Sequence, residues 1–376
     1  MRKVLVCGAA FAATCVSAVA VPGGAEATSP APTPPASTPA APTAPDGAPS
    51  GEPGTGSPSG GPATGTPETG APGTESPSTS STSRPPQGEA LPDGETDGTV
   101  SAEAVMVTPE PPRARTYAYG DDPAQKLDAY WRRSAPGAGP RPGVLILHGG
   151  YWLQGDKSGW KYTASRLTEE GFVVISANYR LASRAQWPAQ RDDASAALAF
   201  VKDNARRWNL DPRRVAVVGA SSGGHLATQL GTFGTGSQTV RGVVALSPVT
   251  DPGLAYLDGG KPTATPSQQK LRGAVTELLQ CFPDTPADQE CQERLQDATS
   301  ATHASEGDAP MLLMHTDGDF VPISHSVRLS GALRAAGVPV TVKRLEGDRH
   351  ASGLLADEKT YPTMVAWLKN ILKPAE

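Results

Sequence analysis

From Gly143 onward, short runs of Val, Ile and Leu alternate with longer stretches whose apolar positions recur at helical spacing. Gly143 to His148 reads as a strand, Ser158 to Glu170 as a helix stopped by Gly171, and Phe172 to Ala177 as the next strand. Pro188 to Trp208 then reads as a long amphipathic helix, Arg214 to Val218 as a buried strand, Ser222 to Leu230 as a helix and Val240 to Leu246 as another strand. After Pro248 the rhythm breaks. Prolines, two cysteines and one or two helices occupy the stretch from Asp251 to Asp308, which predicts a small cap insertion around 252–308 over the C-terminal edge of the sheet. Alternation resumes with strand Met311 to His315, helix Ile323 to Ala336, strand Val338 to Leu345 and a last helix ending near Leu372. Near-continuous apolar strands separated by helices predict an α/β fold, with a mostly parallel central sheet and helices on both faces.

The first third of the chain has a different pattern. From Thr28 to about Pro112 it is built of Pro, Ala, Thr, Ser and Gly, with almost no aliphatic side chain larger than alanine before Val100. Such a segment cannot bury enough apolar surface to offset the entropy of ordering it, so 28–112 is expected to be a disordered linker. Its Ser/Thr-Pro pattern suits a glycosylated stalk, a spacer near a cell wall or surface, or a connector with no further task. Ahead of it, Arg2 and Lys3 precede an apolar run from Val4 to Val21 that ends in small residues, the pattern of an export signal over 1–27. Cleavage after Ala27 is preferred, with Ala20 as the alternative site; an uncleaved anchor helix is the competing expectation. A catalytic domain is left at 113–376, and it holds all six tryptophans. The formal charge of -5, without a dense Lys/Arg block, gives no reason to expect a nucleic-acid partner.

Two of the four cysteines, Cys7 and Cys15, would leave with the signal. Cys281 and Cys291 remain as an even, closely spaced pair in an exported chain, which predicts a disulfide that stabilises by at most ~3 kcal/mol in the chain-entropy picture. The alternative is two buried thiols, and the spacing does not match a CxxC metal or redox site.

Candidate chemistry centres on Gly219-Ala220-Ser221-Ser222-Gly223-Gly224, placed between a buried strand and a helix. A serine presented from so tight a turn needs glycine two positions before and two after, and both are present. The N-terminus of the following helix adds unpaired N–H groups beneath a developing oxyanion. A serine needs a base, and of the histidines beyond it only His350 lies in a polar, glycine-bearing loop between a strand and the last helix. His315, ending a strand, reads as structural, and His325 as a residue on an exposed helix face. Asp317 and Asp319 both lie in the loop after strand Met311 to His315; Asp319 is favoured as the acid, with Asp317 as its alternative. His148-Gly149-Gly150-Tyr151-Trp152 follows a strand, and its glycines let the backbone approach a substrate carbonyl; the ring of His148 would pin this loop through hydrogen bonds.

His148-Gly149-Gly150, Asn178-Tyr179-Arg180-Leu181, the run Gly219 to Gly224 continued by His225-Leu226-Ala227, and His315-Thr316-Asp317-Gly318-Asp319 with Val321-Pro322 resemble α/β-hydrolases over essentially the whole catalytic domain. The resemblance is to the esterase branch of bifunctional feruloyl and acetyl-xylan esterases, with the kynurenine formamidase branch also similar. It implies the α/β-hydrolase fold, Ser221, Asp319 and His350 as a catalytic triad, and N–H groups of Gly150, Tyr151 and Ser222 as the oxyanion hole. It implies no metal and no organic cofactor. The expected function is a secreted serine carboxylesterase acting on small-molecule or polysaccharide esters. An arylformamidase cleaving an N-formyl amide and a hydrolase-like module that only binds are the alternatives.

Overall fold

The computed structural model describes residues 110–374, apart from the side chains of Ser237 and Gln238. The expected export signal at 1–27 and all but the last three residues of the expected linker at 28–112 lie outside the described residues. Eight strands form one sheet: β1 (Arg113–Ala118), β2 (Lys126–Trp131), β3 (Arg141–Leu147), β4 (Val173–Ala177), β5 (Leu210–Ala220), β6 (Val243–Leu246), β7 (Met311–Thr316) and β8 (Val340–Leu345). Their spatial order is β1-β2-β4-β3-β5-β6-β7-β8. β1 and β2 pair antiparallel, β2 is antiparallel to β4, and every other pairing is parallel.

Nine helices complete the described domain: α1 (Lys161–Glu169), α2 (Ala189–Asp203), α3 (Ser222–Thr232), α4 (Gly236–Thr239), α5 (Pro252–Gly259), α6 (Pro266–Leu279), α7 (Gln289–Ala298), α8 (Ser324–Ala335) and α9 (Thr360–Ile371). The two-residue strand period sorts the core onto two faces. Val144, Ile146, Val218 and Leu246 pack with α1 and α9 on one side, whereas Leu145, Leu147, Val217 and Ala245 pack with α2, α3, α8 and α6 on the other. Because both faces are covered, the inner stretches of the central strands are buried on both sides, which is why β5 reads as the run Val215 to Val218.

Several boundaries differ from those expected. The helix predicted to reach Trp208 ends as an α-helix at Asp203, and a 3-10 turn over Ala205–Trp208 delivers the chain to a left-handed Asn209. The strand predicted from Val240 starts at Val243, because α4 occupies the preceding residues. The cap contains three helices rather than one or two. Each has its own start signal: Asp251 caps Leu254 N–H ahead of α5, Thr265 and Gln268 form a capping box with Pro266 at the first turn of α6, and Asp288 caps Cys291 N–H in α7. Cys281 and Cys291 are joined in a disulfide that ties the end of α6 to the start of α7. β1 and β2 come in addition to the expected strands; β1, at the edge of the sheet, is exposed at all but Tyr117, whereas β2 buries Leu127, Ala129 and Tyr130.

Candidate active site

Ser221 stands between the last residue of β5 and the first of α3, with φ 53° and ψ -118°. Its backbone N–H donates to Leu246 O at 2.8 Å, so the strained turn is fastened to the neighbouring strand. The glycine requirement read from the pattern has a measurable origin. A Cβ on Gly219 would lie 2.1 Å from Gly223 O, and one on Gly223 would lie 2.2 Å from Leu147 O and 2.3 Å from His148 O. Both contacts are to backbone, which cannot swing aside.

The structure brings Ser221, His350 and Asp319 together. Ser221 Oγ is 2.9 Å from His350 Nε2, and His350 Nδ1 is 2.7 Å from Asp319 Oδ1. An ionised carboxylate only accepts, so Nδ1 carries the hydrogen and the Nε2 lone pair faces the serine hydroxyl. The Asp319 side chain is 0% exposed and Oδ1 also accepts Val321 N–H at 2.9 Å. Asp317, the other carboxylate in this loop, points away and pairs with Arg344 on β8. Of the two, Asp319 is the one that reaches the imidazole.

The loop after β3 lies against the elbow. A Cβ on Gly149 would sit 2.8 Å from Ala220 O, and three successive residues, Gly150, Tyr151 and Trp152, have φ of 130°, 62° and 61°. Leu153 and Gln154 N–H both donate to Gly150 O, closing the turn. Gly149, Gly150 and Tyr151 line a cleft of about 430 Å³ together with Ser221 and His350. Ser222 opens α3, where first-turn N–H groups have no intrahelical acceptor. Asp156, which also lines the cleft, has its carboxyl at about 2: burial opposes ionisation, but hydrogen bonds from Ser158 and Asn178 outweigh it.

The ring of His148 meets Gly149 O through Nδ1 at 3.0 Å, as expected of a residue that pins its loop, and stacking adds to that hold. Its ring lies 4.4 Å from that of Tyr179, and Tyr179 Oη donates to His148 O at 2.9 Å. Burial lowers its pKa. His315 is held between Val321 O and Ser326 Oγ, as expected of a structural residue. His325 corrects an expectation: it is 0% exposed, because the helix face that carries it packs against the chain entering the cap, where Thr250 Oγ1 donates to His325 O.

Three participants have roles that the sequence pattern does not assign, although Tyr179 and His225 lie in its motifs. His225 Nδ1 accepts from Trp152 Nε1 at 3.2 Å while its Nε2 meets Ala298 O at 2.7 Å, so one ring joins the loop after β3, the nucleophile helix and the end of α7. Tyr179 serves the same loop from below. Ser247, just past β6, donates to Asp319 Oδ2 and accepts Ala351 N–H at 2.9 Å. The single hint of Ser247 is a hydroxyl at the C-terminal end of the strand beside the nucleophile's. On the far side of the base, Phe320 lies 4.1 Å from the His350 ring and stacks on Tyr151, over which Lys270 of α6 holds its ammonium at 4.6 Å. Cys281, Asp288 and Cys291 sit close enough to suggest a metal site, but the two sulfurs are bonded to each other and one carboxylate does not make a ligand set.

The BD-FAE family model matches residues 127–333, more than half of the chain. The chain belongs to the BD-FAE family. Within the BD-FAE match lie Ser221 and Asp319, while His350 falls beyond it and owes its place here to geometry. Among curated proteins, this BD-FAE chain is 29% identical over 260 residues to Esterase LipC of Mycobacterium tuberculosis (strain ATCC 25618 / H37Rv), covering 66% of this chain and 62% of that protein. It is 28% identical over 256 residues to the probable carboxylic ester hydrolase LipM of the same organism, covering 65% and 57%. The chain thus spans about six-tenths of the length of these relatives. Solved structures with the same fold include a truncated form of a carbohydrate esterase from gut microbiota, with a TM-score of 0.58 at 24% identity over 69% of this chain and 96% of that one. EstE1, a thermophilic carboxylesterase cloned from a metagenomic library, gives a TM-score of 0.61 at 23% identity over 71% and 92%.

Proposed function

We propose that this BD-FAE member is an exported serine carboxylesterase. The observation that carries the reading is the unbroken line of contacts from Ser221 Oγ through His350 to the buried Asp319. Ser221 Oγ attacks the ester carbonyl carbon while its proton passes to His350 Nε2, and Asp319 stabilises the imidazolium that forms. The tetrahedral oxyanion receives N–H donors from Gly150, Tyr151 and Ser222. The intermediate collapses, the alcohol leaves with the proton from Nε2, and an acyl-serine remains. Water then repeats the attack, His350 again takes and returns the proton, and the acid is released.

The substrate class is acyl groups on polysaccharides or on small alcohols. Family membership supports it, as does an open cleft of about 430 Å³ bordered by polar Gln154, Asp156 and Ser352. Export is supported by Arg2, Lys3 and the apolar run behind them, and by a disulfide of the kind that persists in oxidising compartments. The Pro-rich segment would then hold the domain off a wall or surface.

Ser221→Ala is expected to lower kcat/KM for p-nitrophenyl acetate at least ~10³-fold and to abolish labelling by a fluorophosphonate. Normal turnover by that variant overturns the triad, and an unlabelled parent favours a module that only binds. The loop His148-Gly149-Gly150-Tyr151-Trp152 favours a second reading, hydrolysis of an N-formyl amide; comparing methyl ferulate, p-nitrophenyl acetate and N-formylkynurenine separates the two. Intact mass of exported protein should lack the first 20 or 27 residues if the signal is cleaved at either expected site.

A further inference from the structure

Ser247 is fully buried immediately after β6, with φ 49°, and its backbone N–H donates to Met314 O on β7 at 2.8 Å. β7 leads to Asp319, so the residue is fixed to the strand that supplies the acid. Its hydroxyl has two partners. The hydrogen goes to Asp319 Oδ2, the carboxylate oxygen that His350 does not use, and the oxygen accepts the N–H of Ala351, the residue directly after the base, at 2.9 Å. Ala351 itself has φ 54°, a left-handed conformation that an alanine adopts only when its surroundings hold it there. One hydroxyl therefore bridges the acid and the turn that carries the base. Removing it would leave a buried carboxylate oxygen without its donor and a buried N–H without its acceptor.

We infer that Ser247 is a positioning residue for the reaction, fixing the rotation of the Asp319 carboxylate and the aim of the His350 ring through this single hydroxyl. The inference rests on the reading of Ser221, His350 and Asp319 as a triad. It has an electrostatic side that a mere packing role lacks. A donor on Oδ2 stabilises the Asp319 charge and weakens its pull on the imidazolium; without it the carboxylate attracts the imidazolium more strongly, so His350 takes its proton at higher pH. The other charged or titratable groups around His350 are His315 on β7, Asp348 and Arg349 on its own loop, Asp156 across the cleft, and Lys270 reaching over Tyr151 from α6. Burial holds His315 at about 4.

The test compares Ser247→Gly and Ser247→Thr in the full chain. Glycine suits the positive φ and removes the hydroxyl without straining the backbone. Threonine restores a hydroxyl but adds a buried methyl and a β-branched side chain at positive φ, so its rescue is read from the pH limb and not from kcat. For Ser247→Gly, kcat on p-nitrophenyl acetate should fall about 10- to 100-fold with KM within about 2-fold. The acid limb of kcat/KM should move upward by about half a unit to one unit. Ser247→Thr should return the limb to its parent position. The inference is overturned if Ser247→Gly keeps the parent kcat and limb, or if both variants lose activity equally with the limb unmoved. If the parent neither turns over ester nor reacts at Ser221 with a fluorophosphonate, the triad reading fails and this inference falls with it. A parent that does both leaves the role of Ser247 as the single point under test.

Discussion

The nucleophile and the acid–base half of the site are built by different means. Ser221 is held by backbone: two glycines against carbonyl oxygens, a helix start and one strand-to-strand hydrogen bond, all within a few residues of the serine or on the adjoining strands. His350 and Asp319 come from two loops 31 residues apart, and what joins them is side-chain hydrogen bonding through Ser247, Val321 N–H and the imidazole itself. The first kind of construction tolerates no added atom. The second is sensitive to the loss of a single donor.

The largest expected effect that sharpens this contrast lies on the side-chain half. Asp319→Asn keeps the volume but turns an acceptor-only group into one that can present a donor to Nδ1, which favours the wrong tautomer; kcat/KM should fall by about 10³- to 10⁴-fold with the melting curve little changed. A modest loss would mean that another group orients the base. On the backbone half, Gly223→Ala should show the reverse signature. Its Cβ meets two carbonyl oxygens, so stability should drop by about 1 to 3 kcal/mol in urea unfolding, and displacement of the serine by about an ångström should cost roughly 10²-fold in rate. An unchanged unfolding midpoint would show that the elbow has room that the geometry denies.

A third effect belongs to the scaffold. His225, His315 and His325 are each pushed from the ordinary 6.5 to about 4, in every case chiefly by burial. The unfolded chain therefore binds protons more readily than the folded one between these values. The stability linked to these rings is fully present above about pH 6.5 and is lost as pH falls toward 4. Urea midpoints should be lower at pH 5 than at pH 7.5, and His325→Phe should flatten that dependence, since His325 Nε2 has no partner among the described residues. The smallest effect is Asp317→Asn, expected to leave kcat/KM within about 2-fold because an exposed ion pair with Arg344 contributes little.

The same contrast explains what could be read in the sequence. The elbow is legible because its constraints are local: a strand, five residues with glycine at the required places, then a helix. His350 is legible by the loop it occupies, and Asp319 only as one of two carboxylates, since nothing in a linear pattern says which of Asp317 and Asp319 turns inward. Ser247, Tyr179 and the Trp152–His225 pair carry no such signal, because their roles exist only where separate elements meet. His325 departs from its expected exposure for the same reason: the polarity of one helix face says little when the layer packed against it is an insertion of irregular composition. The edge strands β1 and β2 escape because their charged alternation resembles loop as much as strand.

The disulfide between Cys281 and Cys291 staples two cap helices that touch the reaction centre from opposite ends: α6 places Lys270 above Tyr151, and α7 ends at Ala298, whose carbonyl meets His225. The bond therefore fixes the spacing between the end of α6 and the start of α7, so the helix that carries Lys270 and the helix that ends at Ala298 share one covalent constraint, and reducing it would leave each held by its own packing alone.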